Sequence, residues 1–266
     1  MKISIITINY NNIEGLKQTV ESVLVQTYLN KEYIVIDGGS KDGTVDFLKS
    51  QNKITYWVSE KDGGLYNAMN KGIRKLSGDY VIFMNSGDVF FDRNVLSDIF
   101  NVTDYNADVL YGSTIYKYGN GGILRKPRDL NVMSYELPFC HQSCFIKCKL
   151  MKNIEYDESY KLIADYNFFY QGWKKNWHFE QINKIVAIYD TTGMSADSAR
   201  KWQIYVERCK IHGKDTNLMF YNYLNIKTAL KCFLAKIIPV NIVDLMLHRE
   251  KGSNSVKEIL NFKQIK

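Results

Sequence analysis

Four short segments of this chain carry the oxygen-bearing side chains from which a site for a charged ligand can be built. They are Thr7-Ile8-Asn9-Tyr10-Asn11-Asn12, the stretch from Asp37-Gly38-Gly39-Ser40 to Thr44, the stretch from Ser59-Glu60-Lys61-Asp62 to Gly64, and Asn85-Ser86-Gly87-Asp88. Each follows an apolar run, so all four are expected at one rim of a sheet. Carboxylates gathered there repel one another unless a cation or a donor-rich ligand sits among them. A hard divalent cation, Mg²⁺ or Mn²⁺, suits oxygen ligands and phosphates. Asn9-Tyr10-Asn11-Asn12 stands where a dinucleotide-binding fold places Gly-x-Gly-x-x-Gly, and the chain carries no P-loop motif. Phosphates are therefore expected to be held by metal and side chains, without a glycine cradle.

The elements that must position these groups alternate over the first 115 residues. Apolar runs predict strands at Ile3–Ile8, Tyr33–Ile36, Ile54–Val58, Tyr80–Met84 and Val109–Tyr111. Helical spacing is expected at Thr19–Val25, over Val45–Leu48, from Leu65 through Met69 and Ile73 to Leu76, and at Val95–Phe100. Strands separated by short helices imply βαβ units and a mostly parallel sheet flanked by helices, with ligands beyond the carboxyl ends of its strands. From 116 to 190 the pattern loosens: a hairpin over Tyr116–Arg125, a strand over Phe139–Ile146, a helix over Ile163–Trp173 and an extended stretch over His178–Tyr189 are expected. Helical patterns at 196–211, 217–236 and 241–262 close the chain. The division is thus a nucleotide-binding α/β half over 1–115, a second half of the same domain over 116–195, and a basic helical extension over 196–266.

The 266 residues suffice for one sizeable core. Residues 200–266 hold 13 Lys/Arg against 5 Asp/Glu, whereas the first 199 hold 22 basic and 23 acidic side chains. The net charge of +7 therefore belongs to the tail. Such a tail is either a solvated face or, with Leu218, Met219, Phe220, Phe233, Leu234, Ile237 and Ile238 beside it, an interfacial membrane contact. Nucleic acid is not expected as a partner, because no recognition motif accompanies the charge. Five cysteines, an odd number, and no leader pattern at Met1–Ile8 suggest reduced thiols in a cytoplasmic protein, peripheral at most to the inner face of a membrane. No run approaches the ~18–20 apolar residues of a membrane span.

The strings SIITINYNN, ESVLVQTYLNKEYIVIDGGSKDGT and SEKDGGLYNAMNKGIRKLSGDYVIFMNSGDVF resemble, in order, the family 2 glycosyltransferases of the GT-A fold. HQSCFIK (141–147), ADYNFF (164–169) and TTGMS (191–195) extend the resemblance to about residue 195. The flavour resembles bacterial enzymes that build exopolysaccharide or O-antigen repeat units. The resemblance implies that Thr7, Asn9 and Tyr10 line the nucleobase and ribose pocket, that Asp37 accepts from base or ribose, and that Asp62 borders the nucleoside. It implies that Asn67 and Lys71 face the nucleotide or donor sugar, and that Asn85–Asp88, with Ser86 and Gly87 inside it, replaces the family's Asp-x-Asp. Asp88 is then the metal carboxylate and Asp165 the catalytic base. Asn85 and Gly87 depart from that pattern and leave Asp88 as the single acid of its motif.

His141, among Cys140, Cys144 and Cys148, is expected to touch a phosphate or the acceptor, since the cysteine spacing is not that of common zinc sites. The implied activity is an inverting, metal-dependent transfer from a nucleotide-diphosphate sugar to a glycan or polyprenyl-diphosphate-linked acceptor. The alternative is a non-catalytic sugar-nucleotide or carbohydrate-binding module. A sugar nucleotidyltransferase would need a glycine-rich basic loop after the first strand, which the sequence lacks.

Overall fold

The computed structural model describes residues 1–102, 104–119, 121–191, 200–213 and 259–261. The chain divides into two compact units, residues 1–196 with 257–266, and residues 197–256. In the first unit, ten strands among the described residues share one sheet. Its parallel part has the order β3-β2-β1-β4, formed by β1 (Ile3–Asn9), β2 (Lys31–Asp37), β3 (Tyr56–Ser59) and β4 (Tyr80–Phe83). β1 is buried along its whole length, as its unbroken apolar run requires of a central parallel strand.

Helices cover both faces of this part. α1 (Ile13–Leu24) starts well before Thr19, because Asn12 caps it: Oδ1 accepts from the Gly15 N–H at 3.1 Å. Its buried Leu16, Val20 and Val23 form an i, i+4, i+7 stripe in one cluster with Ile3, Ile5, Val35 and, from α2 (Thr44–Lys49), Leu48. α3 (Leu65–Ile73) packs on β1 and β2, with Gly72 against Ile6 and Ile36, which alternate with Ile5 and Val35 and so mark the opposite face.

Past β4 the sheet changes direction. β5 (Val89–Phe90), too short to show in the sequence pattern, and α4 (Val95–Phe100) lead to the hairpin of β6 (Val109–Tyr118) and β7 (Gly121–Arg125). The extended stretch expected over Phe139–Ile146 is broken by a 3₁₀ turn at His141–Ser143, closed by the Ser143 N–H on the Cys140 carbonyl at 3.0 Å. Only β8 (Cys144–Lys147) remains a strand, antiparallel to both β4 and β6. α5 (Cys148–Ile154) and α6 (Ala164–Lys174) follow, then β9 (Phe179–Asp190), which runs parallel to β6 and antiparallel to β5. The run of parallel strands expected from the sequence thus ends at β4, and the sheet as a whole is mixed.

The four cysteines among the described residues are free thiols. In the second unit the described residues include α7 (Lys201–Ile211). The helix expected at 217–236, the apolar residues 218–238, most of the helix at 241–262 and residues 192–195 of TTGMS lie outside the described residues. At the described end of the last span, Ile259–Asn261 is a strand, β10, antiparallel to β7, where a helix was expected; the open edge of β7 supplies its hydrogen-bond partners. No helix among the described residues is long and apolar enough to cross a membrane.

Candidate functional site

The carboxyl ends of β1 to β4 do converge on one rim, but the side chains there divide into those that face outward and those that hold the rim together. Thr7 belongs to the second group. It is fully buried, its Oγ1 donating to the Met84 carbonyl at 2.6 Å and lying 2.9 Å from the Tyr33 hydroxyl. The expectation that Thr7 lines the nucleoside pocket is therefore corrected: the side chain fastens β1 to its neighbours. Asp37 is likewise enclosed. Its two oxygens accept from the Gly39 and Ser40 N–H groups, the Ser40 and Ser59 hydroxyls and Asn9 Nδ2, at 2.5–3.1 Å. Burial acts to raise the Asp37 pKa, but these donors outweigh it and hold the carboxyl below its ordinary range. Asp37 and Asn9 thus shape the Gly38–Ser40 turn from inside, and the acceptor role expected for Asp37 toward a base or ribose is corrected.

What faces outward here is Tyr10, 68% exposed, and the half-buried Asp62. Gly38 lies between them: a Cβ added there would meet Asp62 Oδ2 at 2.7 Å and Tyr10 Cδ2 at 3.1 Å. Asp62 Oδ1 accepts from the Gly64 N–H at 2.9 Å, which folds the loop back toward α3. On that helix Asn67 and Lys71 have protein partners. Asn67 Oδ1 accepts from the Gly63 N–H at 3.0 Å and its Nδ2 donates to Glu158 at 3.0 Å, while Lys71 pairs with Glu60 at 2.8 Å. Asn70, absent from the expected set, donates to Glu158 at 3.0 Å and to the Tyr156 carbonyl at 2.9 Å. α3 thereby ties the Glu60–Gly64 loop to the segment that precedes α6.

The Asn85–Asp88 loop is organised from α1. Thr19 Oγ1 accepts from the Gly87 N–H at 3.0 Å and donates to the Asp88 carbonyl at 2.7 Å, and Ser86 Oγ donates to the Asn12 carbonyl at 3.0 Å. Asp88 is 3% exposed. Its Oδ1 accepts from the backbone N–H of Asp190 at 2.9 Å, and the Gln142 side chain lies near enough to favour the charged form of the carboxylate. Burial pushes Asp88 up to about 8; the nearby Asp190 charge adds to this, against the donated hydrogen bonds. Gly87, at φ +104°, lies so close to Asp190 that an added Cβ would meet Oδ2 at 2.8 Å. The β5–β9 pairing explains the encounter: Val89 stands opposite Ile188, so Gly87 and Asp190, two residues further along each strand, meet at the rim. Asn85 Oδ1 is buried with no hydrogen-bond partner among the described residues.

Asp165 stands in the first turn of α6, at the positive end of the helix. Its Oδ1 accepts from the Tyr66 hydroxyl and from the Tyr166 N–H, each at 2.9 Å. His141 is enclosed at 6% exposure, its Nε2 2.8 Å from the Tyr156 hydroxyl and its ring against Phe83, Phe169 and Tyr156. Burial lowers its pKa, with the Asp165 charge opposing. The expected phosphate or acceptor contact of His141 is corrected: an aromatic cage shuts the ring away from solvent.

The segment Ser4–Asp88, with four loops at one rim of a β3-β2-β1-β4 sheet, lies inside the 4–159 stretch that matches the family model for glycosyl transferase family 2. The chain belongs to this family. It is a glycosyltransferase with the GT-A fold. An uncharacterized glycosyltransferase of Mycobacterium tuberculosis is 32% identical over 205 residues, 73% of this chain and 77% of the relative. A PGL/p-HBAD biosynthesis glycosyltransferase of Mycobacterium bovis is 28% identical over 175 residues, 62% of this chain and 67% of the relative. Among solved structures, S. aureus TarS 1-349 in complex with UDP superposes with a TM-score of 0.61 at 19% identity, covering 79% of this chain and 64% of TarS 1-349. The chain therefore spans slightly less than two thirds of that structure. The mannosyltransferase PcManGT of Pyrobaculum calidifontis, in complex with GDP-Man and Mn²⁺, has a TM-score of 0.61 at 16% identity and covers 95% of this chain and 76% of its own.

Within the glycosyltransferase, Asp190, Thr19 and Gln142 are the rim residues that the sequence pattern did not single out. The extended reading of His178–Tyr189 stopped one position short of Asp190, and nothing local marks its approach to Asp88. Among the described residues no three His, Cys, Asp or Glu side chains gather as a ready metal site. This end of the rim offers two carboxylates, Asp88 and Asp190, and the oxygen chemistry of a divalent cation fits them only with further ligands from a bound phosphate or water.

Proposed function

We propose that this glycosyltransferase moves a sugar from a nucleotide-diphosphate donor to a hydroxyl of a glycan or polyprenyl-diphosphate-linked acceptor, with inversion at the anomeric carbon, in bacterial surface-polysaccharide synthesis. One observation supports the reading: the strand-end loops gather at one rim, where buried Asp88 takes the Asp190 N–H at 2.9 Å, and Asp165 on α6 is joined to α3 through the Tyr66 hydroxyl at 2.9 Å. The UDP and GDP-Man complexes of the fold neighbours support a nucleotide-sugar donor.

On this reading Tyr10 offers its exposed face to the base, and Asp62, for which Gly38 makes room, accepts from base or ribose. Asn67 and Lys71 act on the donor by holding the Gly63-Gly64 loop. Asp88, Asp190 and Asn85 Oδ1 are the groups that would hold Mg²⁺ or Mn²⁺, with Ser86 and Gly87 shaping their loop. Bound there, the cation supplies Lewis-acid neutralisation of the diphosphate. Asp165 takes the proton of the acceptor hydroxyl as its oxygen bonds to the anomeric carbon and the bond to the diphosphate breaks. Such a base contributes ~10²–10⁴-fold. A single displacement inverts the configuration. The basic excess over residues 200–266 suits peripheral contact with an anionic membrane, where a polyprenyl-linked acceptor resides.

The test begins with melting temperatures across UDP-, GDP- and TDP-sugars with Mn²⁺, since the right donor stabilises the fold by mass action. With that donor, Asp165→Asn is expected to keep the stabilisation and lose transfer, and Asp88→Asn to lose the Mn²⁺-dependent part of the stabilisation. Retained turnover in Asp165→Asn rules out the base.

A further inference from the structure

The Tyr66 hydroxyl reaches Asp165 from another helix and from 99 positions away in the sequence. Tyr66 is 4% exposed, and its ring packs against Tyr156 with centroids 5.3 Å apart. Both hydrogen bonds to Asp165, from Tyr66 and from the Tyr166 N–H, end on Oδ1; among the described residues none reaches Oδ2. We propose that Tyr66 is a positioning residue for the base, fixing the Asp165 carboxylate from α3 so that Oδ2 is the oxygen left to take the acceptor's proton. The inference rests on the reading of Asp165 as that base.

The groups that face Asp165 make the phenol its main adjustable donor. Tyr66 comes from α3, His141 and Cys144 from the 3₁₀ turn and the start of β8, and Tyr156 from the segment after α5. Burial keeps the His141 ring below its ordinary range and the Cys144 thiol and Tyr156 phenol above theirs, so none brings a positive charge near neutrality. Burial first and the Asp165 charge second hold the Tyr66 phenol well above its ordinary range, so it stays a donor at every working pH. A hydrogen bond donated to a carboxylate favours its charged form. Tyr66 lies one residue past Leu65, where α3 starts at the Gly63-Gly64 loop, so the donor loop and the base are held by the same turn of helix.

The experiment is hydrolysis of UDP-GlcNAc and of GDP-mannose with Mn²⁺. In Tyr66→Phe kcat is expected to fall about tenfold while the donor KM stays unchanged. A 3-fluorotyrosine installed at position 66, isosteric and still a donor, is expected to keep kcat near that of the unaltered protein. A purely structural tyrosine would leave kcat unchanged in a Tyr66→Phe variant that melts cooperatively, and that result overturns the proposal. If Asp165→Asn itself still turns over, the base reading fails. If Asp165→Asn is inactive and Tyr66→Phe turns over like the unaltered protein, the positioning role alone fails.

Discussion

Asp190 donates its backbone N–H to Asp88 Oδ1 at 2.9 Å, and its side chain lies against Gly87 so closely that the loop has no room for a Cβ. The contact joins the end of β9 to the loop after β4 through a two-residue strand pairing, Val89 with Ile188 and Phe90 with Ala187. It supplies the second acid that the Asn85-Ser86-Gly87-Asp88 segment lacks.

Gly87→Ala is therefore expected to do more than strain a turn. A φ of +104° costs a non-glycine residue about 1–3 kcal/mol, and the new methyl group must displace the Asp190 carboxylate. Mn²⁺ affinity in the presence of UDP, followed by electron paramagnetic resonance, should fall at least tenfold. A variant that binds Mn²⁺ like the unaltered protein would separate Asp190 from the cation.

Asp37→Ala tests whether that carboxylate holds the rim or the ligand. Removing it strands donors from Gly39, Ser40, Ser59 and Asn9, and each unsatisfied buried group costs about 1–3 kcal/mol. A loss of about 3–5 kcal/mol in urea denaturation is expected. Unchanged stability with a raised donor KM would return Asp37 to the role of ligand contact.

Gly38→Ala probes the opposite case. The position is buried, and the atoms an added carbon would crowd belong to the side chains of Asp62 and Tyr10. Nucleotide affinity, measured calorimetrically with UDP and GDP, should fall several-fold while the protein still melts cooperatively, because both crowded side chains are free to turn outward. Equal affinity in both proteins would place the base elsewhere.

How much of this was legible beforehand differs from residue to residue. The strand ends at Asp37, Ser59 and Asn85 could be read because β2, β3 and β4 are apolar runs that stop at polar residues. The same strings could not say that Thr7, Asp37 and His141 point inward. That depends on what packs over them: Met84 and Tyr33 over Thr7, the Ser40 and Ser59 hydroxyls over Asp37, and three aromatic rings over His141. Asp190 was out of reach for another reason. It arrives from 102 positions away through a pairing too short to leave a periodic signal.

Glu32 gives a prediction away from the site. Burial opposes its ionisation, but donations from Lys2, Ser4 and Ser77 hold its carboxyl near 2. Because the folded value lies below the unfolded one, this stabilisation is fully present above about pH 4.5 and is lost as the pH falls toward 2. About 3 kcal/mol of acid-sensitive stability is expected. Urea midpoints between pH 2 and 6 should show it, and Glu32→Gln should flatten the curve. Parallel curves for the two proteins would refute the assignment.

The 3₁₀ turn at His141–Ser143 has one more consequence. It is anchored at one end by β8, which is paired on both sides in the sheet, and its first residue is held by the Tyr156 hydroxyl, 2.8 Å from His141 Nε2. If Asp88 and Asp165 carry the roles proposed above, these three residues of backbone act as a gauge of how far leaving-group chemistry stands from proton abstraction. A residue added within the turn is then expected to disturb both, whereas a new donor or acceptor is expected to alter the loops around it.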